Sequence, residues 1–317
     1  MSKITTVLGP IEAESLGITH MHEHIIIDVY PTRWGYNAVL DDIGVSREEI
    51  MIYKKAGGQA LVEQTMRGAG RDPAGLRRLS VDTGVHIVAS TSFVWSQFGS
   101  PDSNMANTKN ANELADIMIQ DIVDGMDGTD VRAGCIGEIA AGGHRSSAGN
   151  NYISPTEERL FRAAARAHKQ TGLALYTHTN QGMLALEQIE LLQEEGVDMQ
   201  KVVIGHLGDR NAIDYYEAIA DKGVNLGFDH VGHCRGTQVY APDALRATNI
   251  AEMIERGHLE QIVLSQDLFL KEMWHYNGGI GYDYLLTKFV PILVELGVKN
   301  EHLECMLMKN PARILGT

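Results

Sequence analysis

The 317-residue chain is poor in cysteine and has no long apolar stretch. Its three cysteines, Cys135, Cys234 and Cys305, lie far apart and form neither a zinc-binding nor a disulfide pattern, which predicts a reducing, cytoplasmic location. No apolar run reaches the ~18 residues of a membrane-spanning helix. Residues 1–14 lack the apolar segment of a signal peptide, so we expect no secretion by that route.

Positive charge is also scarce. The 27 lysines and arginines face 41 aspartates and glutamates, which gives a formal net charge of −14 at pH 7. A chain with this charge repels nucleic acids and anionic membranes. We therefore expect a small-molecule substrate, with no nucleic-acid or membrane partner.

Strand-like and helical segments alternate along the whole chain, with no linker or low-complexity tract between them. Eight strands separated by helices predict a parallel sheet, and eight is the number that closes a (β/α)8 TIM barrel. An open, doubly wound sheet is the alternative. We expect one domain over residues 1–317. The predicted strands cover residues 17–26, 60–65, 86–92, 132–139, 173–178, 202–206, 225–228 and 261–265.

The first predicted strand carries closely spaced histidines. Alternate residues of a strand point to the same side, so His22 and His24 can hold a divalent cation together. His20 would lie on the same face, and we interpret it as a core residue or a support to the ligands. Further potential ligands follow other strands, whose ends surround one mouth in a barrel. These are Glu138, His178, His206 and Asp267.

Each of these residues has an ordinary structural alternative. A single histidine is commonly a hydrogen-bonded core residue, and an aspartate after a strand is commonly a cap or loop residue. Glu138, between Gly137 and Ile139, is harder to explain in that way, because an unpaired buried carboxylate costs several kcal/mol. The set as a whole predicts a metallohydrolase site.

The same residues belong to strings that resemble the phosphotriesterase family of the amidohydrolase superfamily. The resemblance runs almost end to end, and an additional segment, residues 277–286, is similar to the bacterial phosphotriesterase homology proteins. The strings that carry it are His22-Glu23-His24, residues 136–139, 177–179 and 205–209, Phe228-Asp229-His230, Ser265-Gln266-Asp267 and residues 310–315.

The resemblance implies a distorted barrel with a binuclear metal centre, usually zinc, in a homodimer. It gives His22, His24 and Asp267 to the more buried metal, and His178 and His206 to the more exposed one. Histidine and carboxylate ligands also suit manganese, cobalt or nickel.

Glu138 occupies the position of a carboxylated lysine that bridges the metals in the founding enzymes of the family. A glutamate also offers two carboxylate oxygens, so the resemblance makes Glu138 the bridge. This departure from the founding enzymes marks a branch of the family.

The resemblance also implies a proton relay. Two cations that share a hydroxide provide a nucleophile at neutral pH, and Asp267 would pass its proton to His230, oriented by Asp209. The alternatives are a loop histidine at His230 and a helix cap at Asp209, in front of the helix predicted over residues 212–222.

The predicted reaction is hydrolysis of a carboxylic ester or lactone. Phosphotriester hydrolysis and amide hydrolysis are alternatives, and a non-catalytic metal-binding scaffold is an alternative of another class. Trp95 matches a pocket aromatic residue of the family, while Arg235 and Lys271 would receive an anionic substrate group. A packing tryptophan and surface cations are the corresponding structural alternatives.

Overall fold

The computed structural model describes residues 2–30, 32, 35–94, 103–141, 152–233 and 240–317. The strands are, in chain order, β1 (Lys3–Thr6), β2 (Gly9–Glu12), β3 (Thr19–Glu23), β4 (Ile27–Asp28), β5 (Val39–Leu40), β6 (Ala60–Glu63), β7 (His86–Thr91), β8 (Cys135–Ala140), β9 (Leu175–His178), β10 (Val202–Ile204), β11 (Asn225–Phe228) and β12 (Ile262–Leu264).

Helices occupy the intervals between the sheet strands, and three more follow the last strand. They are α1 (Ile43–Lys55), α2 (Pro73–Thr83), α3 (Ser103–Thr108), α4 (Ala111–Val123), α5 (Pro155–Thr171), α6 (Ala185–Glu194), α7 (Ile213–Ala220), α8 (Asp243–Glu255), α9 (Val290–Glu295), α10 (Asn300–Glu304) and α11 (Asn310–Leu315). None of the helices in the described ranges is long and apolar enough to cross a membrane.

Eight parallel strands form one sheet, in the order β12-β11-β10-β9-β8-β7-β6-β3. Each of them overlaps a strand predicted from the sequence. The sheet curls until its first and last strands meet, where His22 O accepts the Asp267 N–H at 3.0 Å and His24 N–H donates to Leu268 O at 3.3 Å. The predicted TIM barrel is therefore confirmed.

Apolar side chains fill the barrel on both sides of the sheet. Inside it, Met21, Val62, Val203 and Val263 pack together with residues of the chain ends. Outside it, alternate strand residues such as Leu61 pack against the helices. The inner core thus supports the carboxyl ends of the strands, which form the mouth of the barrel.

The first sheet strand differs from its prediction. β3 ends at Glu23, so His24 lies one residue beyond it, and the register with β6 shifts between His20 and Glu23. A bulge of this kind interrupts the alternation of side chains. His20 is therefore directed away from the mouth, with its ring centroid 4.6 Å from that of Tyr53 on α1. The expectation that His20 shares a face with His22 was wrong.

Glu23 joins the two ends of the sheet. The side chain is fully buried. Its Oε1 accepts the Gln266 N–H at 2.9 Å and lies 2.8 Å from Ser265 Oγ, while its Oε2 accepts the Leu268 N–H at 2.8 Å. One carboxyl group on the first strand therefore fixes the segment that follows the last strand.

We expect Glu23→Ala to lower the free energy of unfolding by about 3 kcal/mol, because it leaves buried N–H groups of residues 266 and 268 without an acceptor. Urea unfolding of the purified variant measures this loss. Glu14→Ala, at an exposed position, is the matched control and should change stability little. Equal stabilities of the two variants would contradict the role given to Glu23.

Candidate metal centre

Six potential ligands surround the mouth of the barrel. His22 lies within β3, Glu138 lies within β8 and His178 ends β9. The other three, His24, His206 and Asp267, follow their strands by one to three residues. All but the partly buried His178 are buried. The structure thus brings together every residue that the sequence analysis selected as a ligand.

One side of the cluster is formed by the two histidines of the first strand segment. His24 Nε2 lies 3.2 Å from Asp267 Oδ1, and His22 Nε2 lies 3.5 Å from the same oxygen. Glu138 completes this side, with oxygens 3.7 Å from His22 Nε2 and 3.8 Å from His24 Nε2. The four side chains direct nitrogen and oxygen atoms at a common centre.

The other side is formed by His178 and His206. The Nδ1 of His178 lies 2.8 Å from Glu138 Oε2 and 2.8 Å from His206 Nε2. His206 Nε2 is 3.6 Å from that same carboxylate oxygen. Glu138 therefore faces both sides of the cluster, as a bridging carboxylate must.

Unpaired atoms in the cluster fit a bound cation. His22 Nε2 and Asp267 Oδ1 are buried and have no hydrogen-bond partner among the described residues. Leaving a buried polar atom unpaired is costly. Imidazole nitrogen and carboxylate oxygen are ligands of zinc and related divalent metals, so the residues present could hold such ions.

The backbone at two of these positions is in the left-handed region. The φ angle is +60° at His206 and +48° at Asp267. Residues other than glycine adopt such angles infrequently, and they tend to do so at functional sites. In this chain, the unusual backbone turns both side chains into the mouth directly after their strands.

Asp229 orients two of the histidines from behind. Its Oδ1 accepts the backbone N–H of His206 at 2.7 Å and lies 3.0 Å from His206 Nδ1, while Oδ2 lies 3.3 Å from His22 Nδ1. The Tyr176 hydroxyl donates to Oδ2 at 2.7 Å. With Nδ1 held in this way, the Nε2 atoms of both histidines face the cluster.

His24 is held by a separate set of contacts. Its Nδ1 lies 2.8 Å from Thr65 Oγ1, and its carbonyl oxygen accepts the Tyr282 hydroxyl at 2.7 Å. Gln188 similarly donates to the carbonyl oxygen of His178 at 2.9 Å. The four histidines among the ligand candidates therefore all contact neighbours on other elements, His22 and His206 through Asp229 and the other two through the groups named here.

Sequence reasoning gave no role to these supporting residues. For Asp229 the sequence did offer a signal, because the residue belongs to the string Phe228-Asp229-His230 and directly follows β11. Tyr176, Thr65 and Gln188 carry no such signal, because their contacts depend on the packing of different strands and helices, over separations of 10 to 53 residues.

His230 connects the cluster to a second carboxylate. Its Nε2 lies 2.8 Å from Asp267 Oδ2, and its Nδ1–H donates to Asp209 Oδ2 at 2.6 Å. The imidazole ring stacks on that of His206 with centroids 3.9 Å apart. Asp209 does not cap α7, whose N-cap is Ala212, so the capping alternative was wrong.

Ionised carboxylates concentrate negative charge here. Burial by itself would raise the pKa of Glu138, but His178 and His206 hold it well below its usual range. Burial likewise opposes ionisation of Asp267, and His22 and His230 again lower its pKa strongly. Two ionised carboxylates within a ring of imidazoles offer negatively charged oxygen atoms to a divalent cation.

A further histidine lies beside His230. His233 stacks on His230, with ring centroids 4.6 Å apart, and its Nε2 lies 3.1 Å from the carbonyl oxygen of Asp267. Burial, and then the positive charge of His230, lower the pKa of His233 to about 3. His233 is therefore neutral at physiological pH and donates its Nε2–H to that carbonyl.

Three residues were predicted to contact the substrate, and the structure describes one of them. Trp95 and Arg235 lie outside the described residues. Lys271 Nζ is 3.6 Å from Asp41 Oδ1 and 3.8 Å from the centroid of the Tyr36 ring, so its charge already has a partner in the protein. Contact between Lys271 and a substrate stays a prediction.

Comparison with known proteins gives the family. The model of the phosphotriesterase family matches residues 2–315. The chain belongs to the phosphotriesterase family. The resemblance found in the sequence is thus confirmed. The phosphotriesterase homology protein of Escherichia coli K12 is 34% identical over 297 residues, which cover 94% of this chain and 97% of that protein. The predicted similarity to the homology proteins is therefore confirmed as well.

Other members of the family have more specific names. An N-acetyltaurine hydrolase of Tetraodon nigroviridis is 31% identical, over 98% of this chain and 96% of that protein. The crystal structure of a lactonase from Listeria monocytogenes superimposes with a TM-score of 0.90 at 28% identity, over 99% of this chain and 98% of the lactonase. These relatives include hydrolases of both amides and lactones.

We expect Asp229→Asn to weaken Zn²⁺ binding about 10- to 100-fold, because the amide no longer fixes His22 and His206 as a carboxylate does. Competition against a fluorescent chelator measures this affinity. Asp221→Asn, at an exposed position, is the matched control. Unchanged affinity in Asp229→Asn would mean that the two histidines need no support from this side chain.

Proposed function

We propose that this phosphotriesterase-family chain is a binuclear metal-dependent hydrolase of carboxylic esters or lactones. The single observation that carries the proposal is the position of Asp267: its Oδ1 faces His24 Nε2 at 3.2 Å and His22 Nε2 at 3.5 Å in the cluster, while its Oδ2 lies 2.8 Å from His230 Nε2. One carboxylate is thus available both to a cation and to a proton acceptor. An aspartate with a purely structural role would not need one oxygen in the cluster and the other against a histidine.

The contacts described above support the ligand assignment that the family resemblance implies. We propose that His22, His24 and Asp267 hold one cation, that His178 and His206 hold the other, and that Glu138 bridges them. Zinc is our first choice, with manganese, cobalt and nickel suited to the same ligands. Bound there, the cations would lower the pKa of a shared water and polarise the carbonyl oxygen of the substrate.

The chain itself supplies the path of the proton. Asp267 accepts a proton as water is consumed, and its Oδ2 is close enough to His230 Nε2 to pass that proton on directly. Asp209 keeps the imidazole in place and stabilises its charged form, since burial lowers the pKa of His230 while Asp209 raises it above its ordinary value. His230 can then protonate the departing oxygen or nitrogen.

The relay favours substrates that need this proton. A phenolate-type leaving group departs without protonation, whereas an alkoxide or an amine does not. Lactones and alkyl esters, together with amides, belong to the second kind. For this reason we place phosphotriesters with acidic leaving groups behind carboxylic esters, and we place a non-catalytic scaffold last.

Amide hydrolysis is the second candidate. It is favoured by N-acetyltaurine hydrolases, which match nearly the full chain at about the same identity as the bacterial homology proteins. An amide is the substrate class that depends most on protonation of its leaving group. We therefore include N-acyl compounds in the decisive experiment.

That experiment is an activity screen of purified protein reconstituted with Zn²⁺ or Mn²⁺. The panel consists of lactones, alkyl and aryl esters, N-acyl amino acids, N-acyltaurine and aryl phosphotriesters. We expect the highest kcat/KM among lactones or esters. Preferential cleavage of the N-acyl compounds would replace our first candidate by the second. Two bound metals without turnover of any substrate would favour the non-catalytic scaffold.

The bridge gives a further prediction. Because Glu138 supplies its carboxylate without added CO₂, reconstitution should be indifferent to bicarbonate. Glu138→Gln should lower the metal content from about two ions toward one per chain and remove most turnover, since an amide bridges cations poorly. Elemental analysis and kinetics measure both effects, with exposed Glu187→Gln as the control. Full activity of Glu138→Gln would reject the bridge.

A further inference from the structure

A buried arginine lies behind the proton relay, outside the cluster of ligand candidates. Arg246 on α8 is fully buried. One guanidinium nitrogen, Nη2, donates to Asp209 Oδ1 at 3.2 Å, and the other, Nη1, donates to Asp243 Oδ1. A buried guanidinium is stable only when it is paired, and this one is paired with two carboxylates at once.

The second carboxylate extends the contact to the loop after β11. Asp243 accepts the Gly232 N–H at 3.1 and 3.2 Å, and the Tyr284 hydroxyl donates to its Oδ2 at 3.0 Å. Gly232 lies two residues after His230. The arginine thus connects Asp209 to the backbone that carries the relay histidine.

The chain makes room for this side chain at a glycine. A Cβ atom at Gly208 would lie 2.9 Å from Arg246 Cγ and 3.1 Å from its Cδ. Gly208 directly precedes Asp209. The absence of a side chain at that position therefore lets the arginine stem cross the backbone and reach the carboxylate.

The two oxygens of Asp209 are divided between two partners. Oδ2 accepts from His230 Nδ1–H, and Oδ1 accepts from Arg246. Rotation of a carboxylate about its terminal bond is otherwise weakly restricted. We propose that Arg246 is a positioning residue of the relay: it fixes the plane of Asp209 and thereby the orientation of the His230 ring toward Asp267. The kinetic effect expected from this inference rests on the proposed function.

The kinetic test compares leaving groups. Arg246→Met should reduce kcat about tenfold or more for an alkyl ester or lactone, leave KM within about twofold, and leave a p-nitrophenyl ester little affected. Arg256→Met, which changes an arginine near the end of the same helix, is the matched control and should behave like the unmodified protein. An equal loss on both substrates would overturn the proposal.

A double variant tests whether the effect passes through His230. If it does, Arg246→Met should cost little more in the His230→Asn background, because the relay is already interrupted. Independent, multiplicative losses in kcat would overturn the proposal. Arg246→Lys serves where Arg246→Met does not fold: its ammonium keeps the charge but cannot hold two carboxylates in a fixed fork, so a smaller loss of the same selectivity is expected.

A measurement without turnover separates this inference from the proposed function. In protein labelled with ¹⁵N-histidine, the His230 Nδ1–H should give a downfield, slowly exchanging proton signal that is absent from His230→Asn. We expect Arg256→Met to retain this signal and Arg246→Met to shift or lose it. An unchanged signal in Arg246→Met would reject the positioning role. Inactivity of the unmodified protein on the whole panel would reject the proposed function alone.

Discussion

The meeting of the first and last strands is the constraint on which the rest of the site depends. Glu23 binds the backbone after β12, and this contact closes the sheet at the level of the mouth. Asp267 lies in the segment so fixed and hydrogen-bonds to the backbone of His22. The approach of Asp267 to His22 and His24 is therefore a direct result of barrel closure, and a gap at this seam would separate the ligand candidates on one side of the cluster.

A second constraint is the compensation of buried charge. Carboxylates and histidines alternate through the site, so that each ionised oxygen faces a ring nitrogen or a guanidinium. Burial opposes the ionisation of Asp229 and of Asp209, yet His206 in the first case and His230 and Arg246 in the second keep the pKa of each carboxyl low. Such a network is stable only when nearly every member has its partner. The exceptions are His22 Nε2 and Asp267 Oδ1, which have no hydrogen bond among the described residues and face the centre of the candidate metal cluster.

Much of this molecule follows from the sequence alone. The alternation of strands and helices determined the number of strands in the barrel, because apolar periodicity is a local property of the chain. The ligand candidates were found for the same reason: each lies at or near a strand end, and all such ends meet at one mouth in a barrel. The resemblance in the surrounding strings gave the family, and the family comparison confirmed it.

The tertiary structure decided the side-chain orientations and pairings that depend on contacts between different elements. The bulge in β3 turned His20 toward Tyr53, although simple alternation had placed it beside His22. Pairing of Asp209 with His230 and Arg246, rather than with the end of α7, required three elements to pack together. Asp229, Thr65 and Gln188 acquired their roles in the same way. Local pattern determines which residues stand at the mouth, whereas only packing determines which atoms of those residues face each other.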